Sequence, residues 1–178
     1  MAHAALCLTT ALAATLACAL AAAQTPPIKP GLWEVRSDRQ IDGKAAGVPT
    51  DSMKNMKPEV RARVEAMMKQ KGMAVDSGGA NRICITRDSL DAGRWQSNAT
   101  CKTAYGTRSA SAWKWHSTCD QSGTVVDGEA VFANPENYTV STTSTHSFRG
   151  ETKTTQTTIK AHWLGADCGD LRPFDPKR

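Results

Sequence analysis

Beyond residue 23 the chain carries four cysteines, Cys84, Cys101, Cys119 and Cys168, and these are the residues most able to do chemistry. In an oxidising compartment four cysteines read as two disulfides. Zinc would need CxxC or CxxH spacing, and the nearest two cysteines here are 17 positions apart, so disulfides are favoured. Three pairings are possible. Cys84–Cys101, closing a short connection, with Cys119–Cys168, tying a late strand to the centre, is the preferred set. Cys101–Cys119, across the mouth of a hairpin, is its competitor.

Met53, Met56, Met67, Met68 and Met73 form a second group, holding every methionine except the first. Clustered thioethers suit Cu(I), a soft ion. The preferred reading is that they pad a helix against a sheet, or line an adaptable apolar groove. No cysteine or histidine accompanies them in sequence, so no metal and no cofactor is assigned. His116, His146 and His162 fall on separate expected strands, with His116 and His162 on solvated faces and His146 turned inward. Asp167 and Asp170 flank Cys168 and read as turn-shaping carboxylates. The chain contains no G-x-S-x-G, HExxH, GxGxxG or P-loop motif, and no nucleophile–base constellation stands out. The expectation is a protein that is not an enzyme.

The compartment follows from the first 23 residues. They contain no Asp, Glu, Lys or Arg and end in Ala21-Ala22-Ala23, a pattern that signal peptidase cuts. A secreted or periplasmic protein beginning near Gln24 is expected. Cys18 offers a lipoprotein variant, although Thr15 stands where such signals carry Leu. The formal net charge of +5 then belongs wholly to the remaining chain. Its basic residues are spread rather than blocked, which favours an anionic membrane surface over nucleic acid as a neighbour.

The elements that position these residues are mostly strands. A proline-rich lead-in at 24–30 precedes a single β-rich domain over 31–178. In Leu32–Ile41 the residues Trp33, Val35 and Ile41 share one parity and Glu34, Arg36, Asp38 and Gln40 the other, a strand with one wet face. An amphipathic helix over about 58–71 interrupts the β pattern, with Pro58 in its first turn and Gly72 just past its end. Val60, Val64, Met67 and Met68 make its apolar face. The Cys101–Cys119 stretch reads as strand, turn and strand, with Trp113, Trp115 and Cys119 on one side. Asn134-Pro135-Glu136-Asn137 is a turn signal. From Thr139 to Thr158, Ser and Thr fill 12 of 20 positions without a proline. This predicts two long hairpin strands with middles polar on both faces, so that the sheet is either thin on core there or has a wet inner face open to a ligand.

With those residues in view, the chain resembles a family catalogued as domain of unknown function 3617. The resemblance is carried by PGLWEV at Pro30–Val35, the helix at Pro58–Met68, CIT at Cys84–Thr86, the W-x-x-x-C of Trp115–Cys119 and WLGADCGD at Trp163–Asp170. It implies a secreted or periplasmic bacterial protein of no established activity, and it brings no catalytic residues.

The fold expected is a single curved antiparallel sheet of seven or eight strands, half-barrel or lipocalin-like, with one inserted helix and two disulfides. The function expected is a non-catalytic binding module for a lipid or small hydrophobic ligand. Val60, Val64, Met67, Met68, Trp33, Trp113 and Trp163 are its groove candidates, with Trp95 a further tryptophan for the mouth. The alternative is an envelope interaction protein with a packed core and no cavity.

Overall fold

A computed structural model describes residues 25–46, 53, 55–75, 80–91, 101–120, 122–148 and 150–174. The expected leader at 1–23, Cys18 and Trp95 lie outside the described residues.

Nine strands form one antiparallel sheet: β1 (Gly31–Ile41), β2 (Lys44–Ala46), β3 (Met73–Val75), β4 (Asn81–Ile85), β5 (Lys102–Arg108), β6 (Ala112–Cys119), β7 (Thr124–Asn134), β8 (Asn137–Phe148) and β9 (Glu151–Gly165). Two helices accompany them, α1 (Pro58–Gln70) and α2 (Arg87–Asp91). The spatial order is β3-β4-β1-β9-β8-β7-β6-β5, with the short β2 folded back on β1. The sheet is open, since β3 and β5 end that order. The three-residue strands β2 and β3 carry the count past the seven or eight expected, being too short to show an alternation.

Strand parity puts one continuous set of side chains on the inner face. Reading across the sheet, Phe132 pairs with Tyr138, Tyr138 with Ala161, Ala161 with Val35, and Val35 with Asn81. The next inner row runs Trp113, Ala130, Val140 and Ile159. These rows, with Trp33, Ile28, Ile85 and Leu90, make the core. Its aromatic rings meet at tilted or edge-on angles: Trp33 and Tyr138 at 5.0 Å between centroids, Trp113 and Phe132 at 5.7 Å. Such pairs contribute about 0.5–1.5 kcal/mol each beyond their buried area.

The Thr-rich hairpin forms as its composition predicts. β8 and β9 pair without a break from Asn137↔His162 to Phe148↔Glu151. The turn between β7 and β8 is set by Asn134, whose Oδ1 accepts the Glu136 backbone N–H at 2.8 Å. α1 begins with Pro58 and stops at Lys71, where Gly72 takes φ +77° and donates its N–H to the Lys69 carbonyl at 3.0 Å. That left-handed position is one glycine tolerates and most side chains do not. α2 is fixed by a reciprocal pair in which Ser89 N–H donates to Thr86 Oγ1 and Thr86 N–H donates to Ser89 Oγ.

The disulfides correct the preferred pairing. Cys84 bonds Cys168 and Cys101 bonds Cys119. The competitor across the hairpin mouth is therefore the one that forms. Register explains it: Lys102 pairs with Thr118, which leaves Cys101 beside Cys119 at a Cα separation of 4.1 Å. The partner of Cys84 was hidden because the chain beyond β9 doubles back. Pro173 bridges to Cys84 in parallel and Phe174 N–H donates to the Cys84 carbonyl at 2.8 Å.

Candidate functional site

A cavity of about 870 Å³ lies on the inner face, walled by the sheet and by α1 with the residues just before it. Strands from both flanks of the sheet line the same space: Asn81 and Ile83 from β4, Thr103 from β5, Trp115 and Ser117 from β6. Flat, eight strands would hold their outer members roughly 34 Å apart at strand spacing. The sheet must therefore curl around the cavity, as the half-barrel expectation requires.

Its wall divides by chemistry along the strands. Val35, Tyr138, Val140 and Ile159 rise directly from the core, and all but Ile159 are buried. Two residues further along β8 comes Thr142, then Ser144, and beside them stand Ser117, Thr103 and Thr124. Thr103 Oγ1 and Ser117 Oγ share a hydrogen bond at 2.8 Å. Thr124 Oγ1 and His146 Nδ1 are 3.2 Å apart at the end of this polar set. The Cys101–Cys119 disulfide sits in the wall there as well. Thr103 and Ser122 are exposed, so the hydroxyl-bearing end is the open one.

Methionines supply much of the opposing wall. Met53, Met56, Met68 and Met73 all line the cavity, with Val64 and Phe174. Phe174 is held there by the Cys84–Cys168 bond and its own backbone bond to Cys84. α1 meets the cavity through Val64 and Met68. Val60 and Met67, assigned to the same face from sequence, are instead 48% and 60% exposed. The helix is turned so that Arg61, half-buried, takes Val60's place, and its Nε donates to the Met53 carbonyl at 3.1 Å.

The tryptophans are redistributed too. Trp33 and Trp113 are core residues, 0% and 3% exposed, and do not line the cavity. Their indole N–H groups donate to the Lys29 and Ser109 carbonyls. Trp163 packs at the core edge, with its N–H on the Pro30 carbonyl and the Lys29 ammonium 4.6 Å from its ring centroid. Among the described residues Trp115 is the tryptophan in the wall. Parity on β6 puts it on the same side as Trp113, and it packs against the core from the cavity wall. Tyr138 was likewise missed as a lining residue. Burial holds its phenol neutral by raising the pKa well above the ordinary value.

The other polar residues have local roles. His116 Nδ1 lies 2.7 Å from Asp127 Oδ1, and His162 Nδ1 lies 2.9 Å from Asn137 Oδ1, both on the outer face. Asp167 Oδ1 accepts the Gly169 N–H, shaping the turn around Cys168. Lys29 pairs with Glu136, and that hydrogen bond and charge lower the Glu136 pKa. Among the described residues no three His, Cys, Asp or Glu side chains come together as a metal-binding group. Among them, too, no helix is long and apolar enough to cross a membrane.

Comparison with known proteins adds a relative and a family. The chain is 29% identical over 119 residues to an uncharacterized protein in the lpd-3 5' region of Pseudomonas putida, covering 63% of this chain and 82% of that one. No solved structure matches it. A family model described as a protein of unknown function, DUF3617, matches residues 28–168, taking in PGLWEV's Trp33, CIT and the Trp115–Cys119 motif, and the chain belongs to that family.

Proposed function

We propose that the protein is a non-catalytic binding module that holds a lipid or small hydrophobic ligand between α1 and the curved sheet, in the periplasm or outside the cell. The observation that carries this reading is the 870 Å³ cavity with four methionines in its wall. Small-molecule sites fall at about 300–1,000 Å³, are mostly apolar and carry a few placed polar groups. Thioether side chains adapt to ligands of varied shape. A packed envelope protein has no use for such a space, which favours this reading over the alternative. The leader expected at 1–23 and the two disulfides support the compartment.

The test is mass spectrometry of protein taken gently from the periplasm, first native and then denatured. The reading expects added mass in the native spectrum that vanishes on denaturation. It also expects a polypeptide beginning near Gln24 and lacking four hydrogens. A chain that keeps residues 1–23, or one that carries nothing and takes up no apolar probe when offered, contradicts it.

A contact with anionic membrane is supported by one further observation. The exposed Val60 and Met67 on α1 stand among exposed Lys57, Arg63, Lys69 and Lys71. Apolar residues flanked by basic ones suit a helix lying on an anionic surface. Vesicles containing phosphatidylglycerol should sediment the wild-type protein, and Met67→Glu should weaken this several-fold. Equal sedimentation by phosphatidylcholine vesicles would contradict it.

A further inference from the structure

The cavity wall changes character along a single direction. On β8 the inner residues run Tyr138, Val140, Thr142, Ser144, a span of six residues or about 20 Å of strand. The neighbouring strands repeat the sequence in register. Val140 pairs with Ala130 and Ile159 in the apolar zone. Ser144 pairs with Val126, which pairs with Ser117, which pairs with Thr103 in the polar one. Hydroxyl groups therefore collect around Val126 at the open end, while hydrocarbon, one buried phenol ring and the Asn81 carboxamide form the closed end. Such a wall matches an amphiphile bound tail-first.

The described lining residues include no Asp, Glu, Lys or Arg. Arg39 and Lys153 share the inward parity, through Arg39↔Thr157 and Lys153↔His146, but both are exposed and stand outside the cavity. An ionised head drawn in beside Ser144 would lose hydration and meet no carboxylate, lysine or arginine among the described lining residues, which is strongly unfavourable. A hydroxyl or amide head would lose less and could both donate to and accept from the serine and threonine hydroxyls, and an ester could accept from them. Asn81 adds one carboxamide on the opposite flank, also uncharged.

Resting on the reading of this cavity as a ligand site, we infer that its ligand is an uncharged amphiphile: a hydrocarbon body against Tyr138 and Val140, and a hydrogen-bonding, non-ionic head among Thr142, Ser144 and Ser117. Discrimination comes from the head, because the methionine-rich wall accepts hydrocarbon of many shapes.

The experiment displaces the fluorescent probe N-phenyl-1-naphthylamine from the full protein with dodecanol, dodecanoate, dodecylammonium or dodecane. Dodecanol should compete at least about tenfold more tightly than either ion, and measurably more tightly than dodecane. Thr142→Val with Ser144→Ala should bring dodecanol down to the level of dodecane, with a melting temperature close to wild type. Dodecanoate or dodecylammonium binding as well as dodecanol would overturn the uncharged head while leaving the cavity reading intact. Dodecane matching dodecanol in the wild type would overturn the role of the hydroxyls. Failure of the probe itself to bind would remove the ligand site, and this inference with it.

Discussion

The indole of Trp115 occupies the space where a side chain on Gly128 would stand. The two residues are directly paired across β6 and β7, and a Cβ added at Gly128 would meet Trp115 Cε2 at 2.1 Å and Cζ2 at 2.2 Å. The missing side chain lets the ring lie down against the sheet and become part of the cavity wall. Gly128→Ala should therefore push the indole toward the cavity. We expect a loss of about 1–3 kcal/mol in urea denaturation and a shift in tryptophan emission. In a Trp115→Ala background the same change should cost little, and that non-additivity identifies the contact.

Met67 and Met68 are neighbours in sequence with opposite placement, and this is directly testable. Met68 lines the cavity, whereas Met67 is largely exposed. Met68→Ala should weaken binding of N-phenyl-1-naphthylamine several-fold. Met67→Ala should leave it unchanged and alter stability by less than about 0.5 kcal/mol. Equal effects would mean that α1 is turned differently from the orientation described above.

The two disulfides differ in the length of chain they close. Cys84–Cys168 spans a separation of 84 residues and Cys101–Cys119 one of 18. Chain-entropy arguments give a loss of about 4–5 kcal/mol for removing the first and about 3 kcal/mol for the second. The paired variants Cys84→Ala/Cys168→Ala and Cys101→Ala/Cys119→Ala, compared by urea denaturation, should fall in that order. The first should also loosen Phe174 and lower probe affinity.

Tyr138 makes stability depend on alkaline pH. Its phenol is buried and keeps its proton above the ordinary value of 10.0. In the unfolded chain it ionises near that value. Its contribution is thus complete below about pH 10 and declines as pH rises further, by up to about 1.36 kcal/mol per pH unit. Tyr138→Phe should lack this decline, so that its stability profile departs from the wild type by roughly 1.4 kcal/mol in total between about pH 9 and 11. Parallel profiles would show that the ring is not buried as described.

Much of this architecture was legible because strand alternation is a strong signal. Trp33 and Val35, Val126 through Phe132, and Ile159 through Trp163 each declared an inner face, and the Pro58–Gly72 bracket declared the helix. The polar middle of the late hairpin forms as paired strands, and it puts hydroxyls such as Thr142 and Ser144 on the cavity wall. What escaped was long-range. Cys168 reaches Cys84 through a chain reversal with no local signature. The turn of α1 about its axis is decided by Arg61 bonding to the Met53 carbonyl, a contact that periodicity alone does not encode. Trp113 and Trp115 share a parity, and only the curl of the sheet makes one core and the other wall.

If the space between α1 and the sheet receives a ligand, filling that space with a side chain must exclude it. Thr142 points into the cavity from the middle of the sheet, on a half-buried position, and tryptophan is well tolerated in strands. N-phenyl-1-naphthylamine should titrate saturably onto the wild-type protein and at least about tenfold more weakly onto a folded Thr142→Trp variant. Saturable binding of equal strength to both, or none to the wild type, would show that this space holds no ligand.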